Sequence, residues 1–400
     1  MRARTRIAAT VASMVGAVLL TACGGGDRPE QATTASEPKP TDVIRIGVAG
    51  PFTGSAAAFG EQIRMGAELA RDQVNERGGV AGVSVEMVFE DDQGRDDQAS
   101  IVATKLATDP MVSAVIGHFN SICSAAGKPV YKQMGVVEFS PGSTNVDICK
   151  GSEWTFRNLY HDDYQGQSLS RYISEVLGHK SAAIFYDNDD YGSGLKNAFV
   201  TDAARAGIEI IGEEAFQREA TLDFSAAIDK FASQGPDVIF IAGLYNEAAS
   251  IVKQAREKGV DTPFIGGDGL YSPDLIELGG EAVEGLLLTT PFIVHPDIGG
   301  PPAQSFRTAF NEKFDGEDPD TWAALTYDAA NQLFDVIGRV GPDRTAIRDA
   351  LAATTSIETA YLGVTGRTYF DENGDCLKPA YVAVVRDGEF APAAEQIPAL

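Results

Sequence analysis

Basic residues are scarce in this 400-residue chain. It has 32 lysines and arginines against 57 aspartates and glutamates, which gives a formal net charge of −25. A nucleic-acid-binding protein presents a basic face to the phosphates, so this balance argues against nucleic acid as a partner. The chain also lacks the GxSxG, P-loop, HExxH and complete GxGxxG motifs. Nothing in the sequence therefore argues for an enzyme.

Histidine and cysteine are equally scarce, with four residues of each type. No CxxC or Cys/His spacing predicts a metal site. Two acidic runs, 90–97 and 371–375, resemble calcium loops only superficially. The second run has Cys376 where a calcium loop requires glycine, and it lacks the acid at position twelve. We therefore expect neither a metal ion nor a cofactor.

No hydrophobic run is long enough to span a membrane comfortably. The longest, Ile7–Leu20, has 14 mostly apolar residues, follows three arginines and leads into Leu-Thr-Ala-Cys at residues 20–23. This pattern predicts a lipoprotein signal peptide over residues 1–22, a lipidated Cys23 and a flexible tether through residue 41. An ordinary secretory signal or a membrane anchor is the alternative. The pattern predicts an exported protein, held by lipid at the outer face of the bacterial cytoplasmic membrane or periplasmic.

Export permits disulfide bonds among the remaining three cysteines. Cys123 and Cys149 flank two neighbouring loops, and a bridge between them is one prediction, with Cys376 left over. Three separate buried thiols are the alternative.

From Asp42 onward, apolar strand patterns alternate with helical patterns, which predicts an α/β fold with parallel sheets. A second series of the same kind begins near Tyr164, so we expect two similar lobes. We place lobe 1 at residues 42–160 plus 291–365, and lobe 2 at residues 161–290 plus 366–395. A hairpin with a type I′ turn is predicted at Asn373-Gly374.

Two strand ends in the first series open into polar loops. The run Val112–Gly117 stops at His-Phe-Asn-Ser, and Val136–Phe139 stops at Ser-Pro-Gly-Ser-Thr. Parallel strands bring such loops together at their carboxyl edge, where open α/β sheets bind ligands. Ser121, Gly142 and Thr144 would offer hydroxyl and backbone N–H groups there, beside a helix N-terminus suited to an anion. Ordinary turn chemistry is the alternative.

Eight segments, in this order and spacing, carry a family resemblance: GPFTGSAAAFGEQIRMGAELA, VIGHFNS, SPGSTN, YDNDDYGSGL, QAREKG, FIGGDG, EGLLLTTPF and FDENGD. With them the chain resembles the type I periplasmic binding proteins, and more narrowly the leucine/isoleucine/valine-binding proteins of branched-chain amino-acid ABC importers. The resemblance implies two Rossmann-like lobes joined by a multi-crossover hinge.

The same resemblance implies a ligand site between the lobes. Its residues are Ser121, Gly142, Ser143, Thr144, Tyr191, Leu244, Asp268, Phe59 and Trp322. Ser121 corresponds to the residue that holds the substrate carboxylate, and Asp268 to the acid that pairs with the ammonium group. Two departures stand out: the family has a tyrosine where this chain has Leu244, and usually a longer glutamate at Asp268.

The resemblance thus implies a monomeric binding protein that closes around a small amino acid and delivers it to ABC permease subunits. A sensor for short amides or urea, reporting to a partner protein, is the main alternative. An exported enzyme on a doubly wound fold is the other.

Overall fold

Two β-sheets of mainly parallel strands organise the protein. The structure is a computed structural model that describes residues 43–295 and 298–397. The predicted signal peptide, Cys23 and the whole tether lie outside these residues. The described part forms one compact unit, and its strand order confirms the predicted α/β class.

The first sheet consists of five parallel strands. They are β1 (Val43–Gly50), β2 (Ser84–Asp91), β3 (Val112–Ile116), β4 (Val137–Ser140) and β5 (Thr155–Arg157). Their order across the sheet is β2-β1-β3-β4-β5, and α1 (Ala57–Glu76), α2 (Asp96–Thr108) and α3 (Ser121–Met134) connect them. All residues of β3 are buried, as expected for a strand covered by helices on both faces.

The second sheet begins with five more parallel strands. They are β6 (Ser181–Asp187), β7 (Glu209–Phe216), β8 (Val238–Ala242), β9 (Phe264–Gly266) and β10 (Leu287–Thr290). The helices of this part are α4 (Asp162–Arg171) with a π-helical turn at Tyr172–Val176, α5 (Asp190–Ala206), α6 (Ser225–Gln234), α7 (Tyr245–Glu257) and α8 (Pro273–Gly279). Helix α5 ends where Gly207 adopts a left-handed conformation (φ 72°), which glycine accepts without strain.

The chain then returns to the first sheet. Helices α9 (Gly300–Lys313), α10 (Thr321–Val340) and α11 (Arg344–Ala352) precede a short hairpin of β11 (Tyr361–Gly363) and β12 (Gly366–Thr368). Helix α10 packs tightly on α1: a Cβ at Gly66 would lie 2.3 Å from the Ala323 carbonyl oxygen. Only glycine therefore fits this helix crossing.

The last two strands complete the second sheet. Strands β13 (Tyr381–Arg386) and β14 (Glu389–Pro392) pair antiparallel with each other, and β13 pairs with β10. The order becomes β14-β13-β10-β9-β8-β6-β7. The second sheet thus combines strands from distant parts of the chain, whereas the first sheet consists of consecutive strands. The proposed lobe boundaries remain a prediction.

The predicted hairpin turn at Asn373-Gly374 is wrong. The tight turn lies instead at Asp387-Gly388, where both residues have positive φ (54° and 77°) as a type I′ turn requires. Around Gly374 there is only an isolated bridge between Phe370 and Cys376. This segment lies beside β5: the Gly374 carbonyl accepts a hydrogen bond from the Arg157 N–H at 3.2 Å.

The predicted bridge between Cys123 and Cys149 is also not formed. Cys123, Cys149 and Cys376 are free, buried thiols. The Cys149 Sγ donates to the Gly374 carbonyl at 3.6 Å and lies near Arg157 and Asp375. Cys123 lies in α3, and its charged neighbours are not the residues that lie near Cys149. Within the described residues no helix is both long and apolar enough to cross a membrane.

Candidate functional site

The two predicted strand-end loops of the first sheet lie side by side. Ser121 begins α3, and its Oγ accepts the backbone N–H of Asn145 at 3.3 Å, from the loop after β4. The Ser143 hydroxyl donates back to the Phe119 carbonyl at 2.9 Å. These hydrogen bonds fix one polar wall at the N-terminus of α3, a position that favours an anion.

A network of buried hydrogen bonds holds the loop before Ser121 in place. The His118 Nδ1 lies 2.6 Å from the Asp92 Oδ2, and its Nε2 lies 3.1 Å from the Tyr131 hydroxyl. The His118 carbonyl accepts a hydrogen bond from the Ser140 hydroxyl at 2.6 Å. His118 is therefore a structural residue that orders the loop before Ser121.

The opposite wall comes from the second sheet. The Tyr191 hydroxyl, at the start of α5, donates to the Asp268 Oδ1 at 2.8 Å and accepts the Gly269 N–H at 2.9 Å. The Asp268 N–H donates to the Gln165 Oε1 at 2.9 Å. Leu244 lies after β8 and immediately before the first residue of α7. Tyr191 and Asp268 are thus held as one hydrogen-bonded unit.

A small cavity of about 20 Å³ lies between the two walls. It is lined by Phe119, Asn120, Ser121, Gly142, Tyr191, Leu244, Asp268, Gly269 and Trp322. Six of these are predicted ligand residues: Ser121, Gly142, Tyr191, Leu244, Asp268 and Trp322. A wider surface cleft bordered by Tyr271 contains none of the predicted residues.

Aromatic rings form the apolar side of the cavity. Trp322 is held by a hydrogen bond from its Nε1 to the Tyr271 carbonyl at 2.9 Å, and it meets the Phe119 ring edge-on at a centroid distance of 4.9 Å. A Cβ at Gly142 would lie 2.1 Å from the Phe119 ring. Glycine at this position therefore lets Phe119 cover the loop.

The other three predicted residues lie behind the lining. Phe59 is a second layer, in contact with the rings of Phe119 and Trp322 at centroid distances of 4.8 and 5.8 Å. The Ser143 hydroxyl points back to Phe119 and Ser124. Thr144 is buried beside the cavity, and its hydroxyl has no hydrogen-bond partner among the described residues.

Some residues in or next to the cavity lining were not predicted. Phe119 and Asn120 lie inside the loop motif that identified Ser121, so their position in the sequence was a usable signal. Gln165 and its helix α4 had no such signal, because only the folded chain brings them against Asp268.

Burial changes the pKa of the carboxyl group on the acidic side of the cavity. Loss of solvation raises the pKa of Asp268 to about 6, against the opposing effect of the hydrogen bond from Tyr191. The second oxygen of Asp268, Oδ2, has no hydrogen-bond partner among the described residues. A buried carboxylate oxygen without a donor attracts a cation. The cavity thus presents anion-binding groups on one wall and a cation-binding carboxyl on the other.

Metal binding finds no support here. No group of three or more histidine, cysteine or acidic side chains in the described ranges is arranged to hold a metal ion.

The comparisons with known proteins agree with this architecture. Residues 43–389 match the family described as periplasmic binding protein. The chain is similar to an amino acid binding protein of Pseudomonas aeruginosa, with 32% identity over 347 residues, 85% of this chain and 89% of the relative. It is equally similar to that organism's leucine-, isoleucine-, valine-, threonine- and alanine-binding protein, with 32% identity and the same coverage.

Solved structures give the same result. The branched-chain amino acid transporter substrate-binding protein LivJ of Streptococcus pneumoniae, in complex with isoleucine, superposes with a TM-score of 0.82 at 33% identity and covers 89% of this chain and 99% of its own. The leucine-binding protein LivK of Thermotoga maritima superposes with a TM-score of 0.81 at 34% identity, covering 88% and 98%.

Proposed function

The chain belongs to the periplasmic binding protein family, and on that premise we propose that it binds an apolar α-amino acid for an ABC importer. The observation that carries the proposal is the single cavity with Ser121 and Gly142 on one wall and the Asp268 carboxyl on the other. This arrangement complements a zwitterion. The similar proteins named for leucine, isoleucine and valine support the same class of ligand.

The ligand orientation follows from the charges of the walls. The substrate carboxylate binds the Ser121 hydroxyl and backbone N–H groups at the start of α3. The ammonium group binds the Asp268 Oδ2, which has no other partner in the described part. The side chain then extends toward Phe119, Leu244 and Trp322. These three side chains offer only apolar surface apart from the engaged indole N–H, so they favour an aliphatic side chain.

Delivery requires a closed state that the permease recognises. Contacts between the proposed lobes support such closure. The Ser55 carbonyl accepts hydrogen bonds from the Tyr245 hydroxyl at 2.9 Å and from the Asn246 amide at 2.7 Å. On the other side of the cavity, the Asn145 amide donates to the Asp190 carbonyl at 2.6 Å. The ligand contributes further contacts to both lobes and so stabilises the closed state.

Removing the hydrogen bonds to Ser55 is expected to speed ligand release. A Tyr245→Phe/Asn246→Ala double variant loses two hydrogen bonds of about 0.5–1.5 kcal/mol each, which should weaken binding by about 5- to 150-fold, mainly through the dissociation rate. Stopped-flow fluorescence measures that rate, and Glu257→Ala at the exposed end of α7 is the control. A dissociation rate equal to that of the wild type would show that these bonds do not hold the closed state.

The N-terminal sequence pattern supports a further part of the proposal, which is a lipid anchor. We propose that the protein acts as a monomer anchored by a lipid on Cys23. A Cys23→Ala variant should then leave the membrane fraction, which immunoblotting of separated fractions measures. Retention of this variant in the membrane would contradict the anchor.

Isothermal titration calorimetry tests the proposed ligand class. The protein is unfolded and refolded to remove carried-over ligand, then titrated with the twenty amino acids, γ-aminobutyrate, urea and short amides. Saturable micromolar or tighter binding of leucine, isoleucine or valine is expected. Binding of uncharged amides alone would overturn the proposal and favour an amide sensor. Because the family consists of binding proteins, we expect no turnover of the bound ligand.

A further inference from the structure

The wider surface cleft bordered by Tyr271, here called the outer cleft, lies beside the amino-acid cavity. It has a volume of about 630 Å³, and Asp320 also lines it. Both residues hold Trp322, which lines the amino-acid cavity. The Asp320 Oδ1 accepts the Trp322 backbone N–H at 2.7 Å, and the Tyr271 carbonyl accepts the Trp322 Nε1–H at 2.9 Å. The outer cleft and the amino-acid cavity are therefore connected through Trp322.

The outer cleft has one wall from each proposed lobe. Tyr271, side chains of α8 and Phe390 of β14 come from proposed lobe 2. Arg307 of α9 and residues 318–320, which precede α10, come from proposed lobe 1. A molecule bound in the outer cleft would therefore contact both lobes.

Asp320 supplies a carboxyl oxygen that has no partner. The residue is 4% exposed, and its Oδ1 caps α10 by accepting the N–H groups of Trp322 and Ala323. Its Oδ2 has no hydrogen-bond partner within residues 43–295 and 298–397. Burial raises the pKa of Asp320 to about 7, although the hydrogen bonds from Ala323 and Trp322 oppose the rise. A buried carboxylate oxygen without a donor attracts a cation.

The other charges of the lining also favour a cation. The titratable groups there are four acids, one arginine and one histidine: Glu277, Asp318, Asp320, Glu389, Arg307 and His295. Arg307 is already paired, since its Nε and Nη2 donate to the Asp318 carboxylate at 2.8 and 2.9 Å. Glu277 and Glu389 are exposed, so the outer cleft has an excess of negative charge.

The rest of the lining is largely aromatic and aliphatic. The rings of Tyr271 and Phe390 stack at a centroid distance of 4.4 Å and an angle of 17°. Ile276, Val294 and Pro319 add aliphatic surface. An aromatic face attracts a cation, and the apolar surface accepts an apolar group. An ammonium group on an apolar body therefore fits this lining better than a bare metal ion does.

We propose that the outer cleft is a second binding site, for an organic cation with an ammonium group on an apolar body, and that its occupation strengthens amino-acid binding. The ammonium group pairs with the Asp320 carboxylate, and the apolar body packs on Tyr271 and Phe390. Because the cation contacts both proposed lobes, it stabilises their closed state. This strengthening rests on the proposed function, whereas the second site does not.

Titration calorimetry with benzylamine at pH 8 tests the second site. The wild type should bind benzylamine saturably and should not bind benzyl alcohol, which has the same shape and no charge. Asp320→Asn keeps an oxygen that can cap α10 but lacks the charge, so it should bind benzylamine at least about tenfold more weakly. Asp343→Asn makes the same change at the N-cap of α11 and should bind benzylamine as the wild type does.

A second variant and a second ligand complete the test. Phe390→Leu removes an aromatic face but keeps an apolar side chain, and it should weaken benzylamine binding by about 2- to 30-fold. At saturating benzylamine, the wild type should bind leucine about fivefold or more tightly. By reciprocity, leucine should strengthen benzylamine binding by the same factor.

The opposite results are distinct. Absence of saturable benzylamine binding, an unchanged affinity in Asp320→Asn, or equally tight binding of benzyl alcohol would overturn the second site. Competition between leucine and benzylamine would place the amine in the amino-acid cavity and would also overturn it. Independent binding of the two ligands would overturn the strengthening. Failure of every amino acid to bind would overturn the proposed function, and the benzylamine titrations would still decide the second site.

Discussion

Asp268→Ala is expected to weaken amino-acid binding by about 3–5 kcal/mol, which is the usual cost of breaking a buried ion pair. The substitution removes the carboxyl that faces Ser121 across the cavity and leaves the ligand ammonium without this partner. It also frees the Tyr191 hydroxyl. Calorimetric titration with leucine measures the loss, and Asp261→Ala, an exposed acid just before β9, is the matched control. Equal affinities of the two variants would refute the ammonium site.

The pH dependence of the affinity shows whether the charge of Asp268, and not only its shape, is needed for binding. Burial raises the pKa of Asp268 to about 6, and the ammonium group binds the ionised form. The wild-type affinity should therefore fall as the pH is lowered through 6. Asp268→Asn keeps an oxygen that can accept the Tyr191 hydrogen bond but carries no charge. This variant should bind weakly at every pH and show no fall near pH 6.

Arg157→Met is expected to lower the free energy of unfolding by about 3–5 kcal/mol. The Arg157 side chain is fully buried, its Nε lies 2.6 Å from the Asp375 Oδ1, and its Nη1 donates to the Ser143 and Asn145 carbonyls at 3.0 and 2.9 Å. The methionine fills the space but leaves the Asp375 charge buried and two carbonyls without donors. Urea unfolding of the ligand-free protein measures the effect.

Two further variants test this explanation. Arg157→Met/Asp375→Leu removes both charges and should recover part of the lost stability, since a buried pair can be replaced by apolar residues at little cost. Arg339→Met breaks an exposed pair with Asp335 on α10 and should cost less than about 1 kcal/mol. If Arg157→Met were as stable as Arg339→Met, the buried pair would have no structural role.

The architecture was predictable because buried parallel strands leave a strong pattern. Apolar runs such as β3 and β8 are buried along their whole length, and the intervening helices have their own periodicity. Turn residues were less informative: Asn373-Gly374 and Asp387-Gly388 both suggest a type I′ turn, and only the second lies between paired strands. Cysteine spacing was also insufficient, because the distance along the chain between Cys123 and Cys149 does not reveal what surrounds each thiol.

The candidate site, too, was only partly predictable from the sequence. Ser121 and Gly142 followed from the rule that strand-end loops meet at one edge, and the structure brings both to the cavity. Asp268 and Trp322 lie far from them in sequence, so only the family resemblance could suggest them. The link between Arg157 and Asp375, which are 218 residues apart, depends on tertiary packing. No local pattern could have predicted it.

The chain crossings between the two sheets have a consequence for protein synthesis. Helix α1 is covered by α10, and the edge of β10 is covered by β13. A nascent chain that has grown only as far as β10 would therefore have an uncovered helix in its first half and an unpaired strand in its second. The first half cannot finish folding before α10 has been added, and the second half cannot finish before β13 has been added. The polypeptide thus remains incompletely folded through most of its own synthesis, and a stop codon before α10 would deprive both halves of part of their structure.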